Sequence, residues 1–179
     1  MPRFAALDTR FILALAGGEP DAEATIDYLH TTGFTPMITE SVVEQLGELG
    51  QESANQLTRK CADYAARWMV TWNIITPSNA TVNNGAAQVH AEKIIEQGLI
   101  PGASQIEAEI LVEASCHNCE LLVTFSDPLL NAPAAPLNLA LLENDLHKVT
   151  VTIASPQIIA RRLEVMNPAN RNPSVTVQG

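Results

Sequence analysis

The chain has 179 residues, 46% of them apolar, and a formal net charge of −10. That length suits one domain with a full core, and the apolar share excludes disorder over its bulk. The acidic balance disfavours non-specific attraction to phosphate backbones, so any nucleic-acid role must rest on a local basic patch or on metal ions.

The chain begins with an apolar run, Phe4 to Leu7, that ends in Asp8 and Thr9. It reads as a strand over residues 3–7. A helix follows from Thr9 to about Ala16, stopped by Gly17-Gly18. The lead Arg3 and the small residues Ala14-Leu15-Ala16 resemble a secretory signal, but Asp8 and Arg10 interrupt the apolar region. No segment reaches the roughly 18 apolar residues of a membrane span, and the chain is read as cytoplasmic. Three cysteines make an odd count and no disulfide framework.

Asp21 opens a second helix, closed by Gly33. Phe34 to Ile38 reads as a short strand near a sheet edge, because Pro36 cannot donate to a ladder. Thr39 or Ser41 caps a helix carrying Val42, Val43, Leu46 and Leu49, and a longer helix runs from about Ala54 to Met69. Thr71 to Ile75 reads as a third strand ended by Pro77. After the turn signal Asn83-Asn84-Gly85 come helices from about Ala86 to Gln97 and from Ser104 to about His117. The strand 121–125 is the fourth. A Pro/Ala/Asn-rich connection, Asn131 to Asn138, leads to a short helix near Leu139–Leu142. A last strand over 149–153 and a helix from Ser155-Pro156 through Leu163 complete the fold.

Strands separated by helices predict a three-layer α/β/α domain around a central parallel sheet of four to five strands. The first and fourth strands, the most uniformly apolar, are the expected central pair. The domain covers residues 1–165, and the polar segment 166–179 reads as a loose tail.

Two of these strands end in acids. Asp8 follows the first, and Ser126-Asp127 follows the fourth. Ligands of open α/β sheets bind at that edge. Glu44 and Glu107 lie between them in sequence. Clustered carboxylates repel and raise each other's pKa unless a hard cation such as Mg²⁺ or Mn²⁺ is held among them. Each acid also has a plain structural reading. Asp8 can cap the helix at Thr9. Glu44 follows Ser41 by three residues, as in a capping box, and shares i, i+4 spacing with Glu40 and Glu48, as a solvated stripe would. Glu107 follows Ser104 by three, another capping box, and Asp127 precedes Pro128 as an N-cap precedes a proline. The positions three, four and seven after Glu107 are Ile110, Leu111 and Ala114, which puts Glu107 on or beside an apolar face. The same spacings from Glu109 give Val112, Glu113 and Cys116, a more polar face.

The order of these pieces resembles a PIN domain, the fold of many small metal-dependent ribonucleases. The matching segments are Ala6-Leu7-Asp8-Thr9, the run Ile38 to Leu46, the run Ile106 to Ala114, the strand Leu121 to Phe125 with Ser126-Asp127, and Val149 to Ile159. They span roughly Arg3 to Leu163. The resemblance implies Asp8, Glu44, Glu107 and Asp127 as the acidic set that holds Mg²⁺ or Mn²⁺, with Thr9 and Thr124 as supporting hydroxyls. It implies an endoribonuclease that hydrolyses phosphodiesters with a metal-activated water. Single-stranded or structured RNA is then the substrate. The family includes toxins of toxin–antitoxin pairs, so a small antitoxin-like protein and a second copy of this chain are candidate partners, although the chain is longer than the usual toxin. It departs from the pattern in three places. Arg10 stands where Asn is common, Glu107 where Asp is common, and two residues separate Thr124 from Asp127. Arg10 could contact a phosphate, and Glu109 remains the alternative third acid. The departures, with the acidic net charge, also fit a non-catalytic PIN-like binding or regulatory module.

Cys116-His117-Asn118-Cys119 lacks the second ligand pair that zinc needs and sits at a helix end before a strand, the reverse of a thioredoxin-like site. It reads as structural. Arg59-Lys60 and Arg161-Arg162 read as surface charge, and Trp68 and Trp72 as core, given 4% aromatics, with a base-stacking surface as the alternative.

Overall fold

A computed structural model describes residues 2–76, 84–142 and 150–166. Four strands, β1 (Arg3–Leu7), β2 (Phe34–Met37), β3 (Cys119–Val123) and β4 (Thr152–Ala154), form one sheet in the order β2-β1-β3-β4. All pairings are parallel. The two central strands are the uniformly apolar ones. Ala5, Ala6 and Leu7 of β1 and Leu122 and Val123 of β3 have no solvent exposure. A parallel sheet is covered on both faces, so its central strands are apolar on both. Pro36 lies in the edge strand β2, where a missing donor is tolerated.

The helices are α1 (Thr9–Ala16), α2 (Pro20–Thr31), α3 (Glu40–Glu52), α4 (Gln56–Trp68), α5 (Asn84–Glu96), α6 (Gln105–Cys116), α7 (Asp127–Leu130), α8 (Ala134–Leu142) and α9 (Pro156–Met166). Helix α2 packs on α9 and β2, whereas α6 packs on β3, α5 and α3. Every residue of α6 from Ala108 to Ser115 is buried. A helix buried all round has no polar face, so the expected contrast between the Glu107 and Glu109 faces does not hold over this stretch. Full burial of a side chain the size of Phe11, Leu111 or Leu122 contributes about 1.5–3 kcal/mol. Among the described residues, no helix is long and apolar enough to cross a membrane.

Residues 71–75 form no strand. The chain leaves α4 by continued helical turns, with the Trp72 amide donating to Trp68 O and the Ile74 amide to Met69 O. Asn73 then takes a positive φ of 50°. Only Ile75 bridges to Met37 at the sheet edge. The fourth strand in chain order begins two residues earlier than its apolar run suggested, at Cys119. The last strand is Thr152–Ala154, and Val149 of the expected range lies outside the described residues. Helix α8 starts at Ala134, inside the stretch read as a connection. Its Asn138 side chain bridges to both backbone groups of Val151, at 2.9 and 3.2 Å. Trp72 packs against the core as expected, but Trp68 is 39% exposed and stacks on Tyr64. The segment expected to be a loose tail lies, after Met166, outside the described residues.

Candidate functional site

The carboxyl ends of β1 and β3 are pinned side by side by the Asp8 amide, which donates to Val123 O at 3.1 Å. This brings Asp8 and Thr124 together. Asp8 is the N-cap of α1, its Oδ1 accepting the Phe11 amide at 2.7 Å. Its Oδ2 accepts the Thr124 hydroxyl. Thr124 Oγ1 in turn accepts the Ser126 amide at 2.8 Å. Asp8 is 4% exposed, and that burial pushes its carboxyl above the ordinary range despite the hydrogen bonds from Thr124 and from the Phe11 and Phe125 backbone.

Asp8 opens onto a cleft of about 220 Å³, lined also by Thr9, Arg10, Gln45, Ser104 and Glu107 over an apolar floor. Glu107 enters it from the first turn of α6. It completes a capping box with Ser104, its Oε2 accepting the Ser104 amide at 2.7 Å and the Ser104 hydroxyl at 2.9 Å. Its Oε1 is buried and makes no hydrogen bond. Ser126 Oγ, also fully buried and without a regular hydrogen bond, lies near enough for its hydroxyl to favour the Glu107 carboxylate. Arg10 Nη2 lies 4.0 Å from Glu107 Oε1, on a side chain that is 66% exposed. Burial opposes the charge on Glu107, but the Ser104 backbone, the Ser126 and Ser104 hydroxyls and Arg10 together hold its carboxyl below the ordinary range.

The structure thus brings two of the four sequence-identified acids, Asp8 and Glu107, into one cleft, with Thr9 and Arg10 beside them and Thr124 bonded beneath Asp8. Glu44 is exposed and does not line the cleft. The residue of α3 that does is Gln45, whose Oε1 accepts the Thr9 hydroxyl. Of the stripe Glu40, Glu44 and Glu48, the last two lie on the outer side of α3 while Glu40 turns to His117, and Gln45 continues to Leu49 one turn later, a cleft residue. An uncharged amide carries no signal for this in sequence. Asp127 is exposed as well. Ser126 is the N-cap of α7, and Asp127 stands in its first turn, where a negative charge meets the helix dipole. Glu109 is buried away from the cleft lining, held by Gln105 Nε2 at 3.0 Å. Among the described residues, no group of three or more Asp, Glu, His or Cys could together hold a metal ion.

A second acidic cluster lies where α3 meets α6. Thr39, the N-cap of α3, makes no cap bond with its side chain. Glu113 supplies the bond from 72 residues away, its Oε2 accepting the Ser41 amide at 3.0 Å and its Oε1 the Ser41 hydroxyl at 2.8 Å. Burial raises the Glu113 carboxyl, and Glu40 adds to the rise. Glu40 pairs with His117 at 2.9 Å. Burial, with Glu113 and Glu40, pushes the Cys116 thiol to about 11, and burial pushes Cys119 to about 12. Neither is a reactive thiolate, in keeping with a structural C-x-x-C.

No family model matches the chain, and no curated protein matches it in sequence. Among solved structures it is similar to VapBC2 from Rickettsia felis, determined bound to a DNA fragment from their promoter. The superposition has a TM-score of 0.57 and covers 85% of this chain and 98% of that one, at 14% sequence identity. At that identity the likeness speaks to architecture alone: the chain has a three-layer α/β/α, PIN-like fold.

Proposed function

We propose that the chain is a PIN-like, divalent-metal-dependent ribonuclease whose site is the cleft between Asp8 and Glu107. One observation carries this reading. Glu107 Oε1 is buried without a regular hydrogen bond, near the Ser126 hydroxyl and 4.0 Å from Arg10, in a cleft that Asp8 also lines. A buried carboxylate oxygen left unsatisfied is costly, and a hard cation is the ligand that satisfies it best. Mg²⁺ is commonly held by one or two carboxylates with waters and substrate phosphates completing its shell, and Asp8 with Glu107 fits that demand. They do not supply enough acids for a two-ion site. When bound, a divalent ion there supplies Lewis acidity toward a phosphoryl oxygen and eases deprotonation of water. Thr124 and the Phe11 amide fix the Asp8 carboxylate, and Ser104 fixes that of Glu107, so neither reorganises as substrate arrives. Gln45 and Thr9 line one wall with hydrogen-bonding groups, and Arg10 at the rim is placed for a backbone phosphate. The likeness to VapBC2, a structure determined bound to DNA, supports nucleic acid as ligand in this reading. RNA as substrate, and a small antitoxin-like protein or a second copy as partner, are proposed by analogy with the PIN-like fold.

The reading is tested by cleavage of a mixed-sequence single-stranded RNA in Mn²⁺, with EDTA as control. Asp8→Asn should lower the rate by about 10²-fold or more. Asparagine is itself a good N-cap, so the fold should persist. Equal rates in both proteins would place the activity elsewhere.

One feature favours a second reading, a PIN-like binding module without catalysis: the wall facing the acids carries the amide of Gln45 rather than a carboxylate. Absence of cleavage together with absence of Mn²⁺-induced stabilisation would select it.

A further inference from the structure

Among the residues lining the cleft, Arg10 is the cation, and its position relative to Glu107 is specific. The guanidinium stands 4.0 Å from Oε1, the carboxylate oxygen that the Ser104 capping box leaves free. At 4.0 Å it gives electrostatic relief without completing a hydrogen bond, since Oε1 has none. The side chain is 66% exposed, so nothing locks it there.

We propose that Arg10 is a tethered counter-cation: it occupies the charge position at Glu107 that a divalent ion would take, so that metal entry must displace it. The inference rests on the metal-site reading and adds its regulation. A cation already beside the ligand oxygen opposes the arrival of a second one. It also sets a positive charge beside Glu107 in the metal-free protein. Two unit charges at about 4 Å interact by about 1 kcal/mol even in full aqueous screening, which is a factor of about five in affinity. Because Arg10 is mostly in water, that screened limit is the relevant one.

The test is Mn²⁺ binding to the full chain, by calorimetry and by thermal shift, for wild type, Arg10→Ala and Arg10→Lys. Arg10→Ala should bind Mn²⁺ about fivefold more tightly than wild type. Its melting temperature should be slightly lower without metal and should rise further on saturation. Arg10→Lys, which keeps the charge, should bind within about twofold of wild type. Arg10 is exposed, so neither substitution threatens folding. If Arg10→Ala binds Mn²⁺ no more tightly than wild type while both bind, the counter-cation role is overturned and the metal site stands. If none of the three proteins binds Mn²⁺, the metal site and the counter-cation fail together.

Discussion

The two acidic regions of this protein are built from the same residue types and end in opposite states. Where α3 meets α6, each of Glu40, Glu109 and Glu113 has a donor: His117 for Glu40, Gln105 for Glu109, and the Ser41 amide and hydroxyl for Glu113. In the cleft at the sheet edge, Glu107 Oε1 is left without a regular hydrogen bond, with the Ser126 hydroxyl and Arg10 near it. Satisfied buried acids serve the fold, here by replacing the missing cap of α3. An unsatisfied one in an open cleft is available to a ligand, because the cost of leaving it unpaired has been met by the rest of the structure. The difference lies in geometry and not in charge density, and substitutions should separate the two regions accordingly.

The largest effect on stability should come from the closed cluster. Glu113→Ala removes the acceptor at the α3 N-terminus and leaves the Ser41 amide buried and unpaired, with the Ser41 hydroxyl thrown back on its long contact to Glu109. The expected cost is about 2–3 kcal/mol, read as a lower midpoint in urea unfolding. Glu107→Ala should cost only about 1 kcal/mol, the value of a capping box, yet should remove Mn²⁺ binding. Equal destabilisation by both, with metal binding retained in both, would erase the distinction.

The cleft itself can be sharpened by restoring an acid. Gln45→Glu keeps an oxygen for the Thr9 hydroxyl and adds a third carboxylate to the lining. Mn²⁺ affinity should rise about tenfold, as expected for an added charged ligand at close range. No change in affinity would mean that the Gln45 wall stands too far from the ion.

A smaller effect should appear in the pH dependence of stability. Burial raises both Asp8 and Glu113, one from each region. A carboxyl raised on folding binds its proton more tightly in the native state, so stability should increase as pH falls from 7 through the raised values and level off near the ordinary ones. Glu107 runs the other way. Its lowered carboxyl contributes stability at neutral pH that is lost only as pH falls below its ordinary value through its folded one. Thermal melts taken as pH is lowered from 7 toward the ordinary carboxyl range should therefore show a gain, and the double variant Asp8→Asn/Glu113→Gln should flatten it. A wild-type melting temperature that drops steadily over this window would contradict the assigned directions.

What the sequence made legible follows the same divide between local and distant causes. The position of Asp8 was legible because an apolar strand ends on it, and that of Glu107 in the first turn of α6 because Ser104 stands three residues before it as in a capping box; the apolar spacing after Glu107 did not separate it from Glu109. The parallel sheet and its central pair were legible from two fully apolar runs. The rotation of α3 was less so. It is fixed by Glu113, which is 72 residues from Ser41, and local spacing cannot report such a bond. With that rotation Gln45 faces the cleft, and Gln45 carries no charge to draw notice. Residues 71–75 have the composition of a strand, but hydrogen bonds back to Trp68 and Met69 hold them as the frayed end of α4.

The smallest expected effects belong to the two acids that the PIN resemblance implicates and the fold leaves outside the cleft lining. Glu44 and Asp127 are exposed, and neither lines the cleft with Asp8 and Glu107. Glu44→Ala should change stability by less than about 0.5 kcal/mol, as exposed substitutions do. Asp127→Ala removes a favourable charge from the first turn of α7, worth about 0.3–1 kcal/mol. Neither should alter Mn²⁺ affinity by more than about twofold, since screening by water at exposed sites leaves little of a distant charge. Calorimetric titration of the two variants beside Asp8→Asn decides the matter. If Glu44→Ala or Asp127→Ala weakens Mn²⁺ binding as much as Asp8→Asn does, the ion draws α3 or α7 inward and the metal-bound cleft holds more acids than the metal-free one.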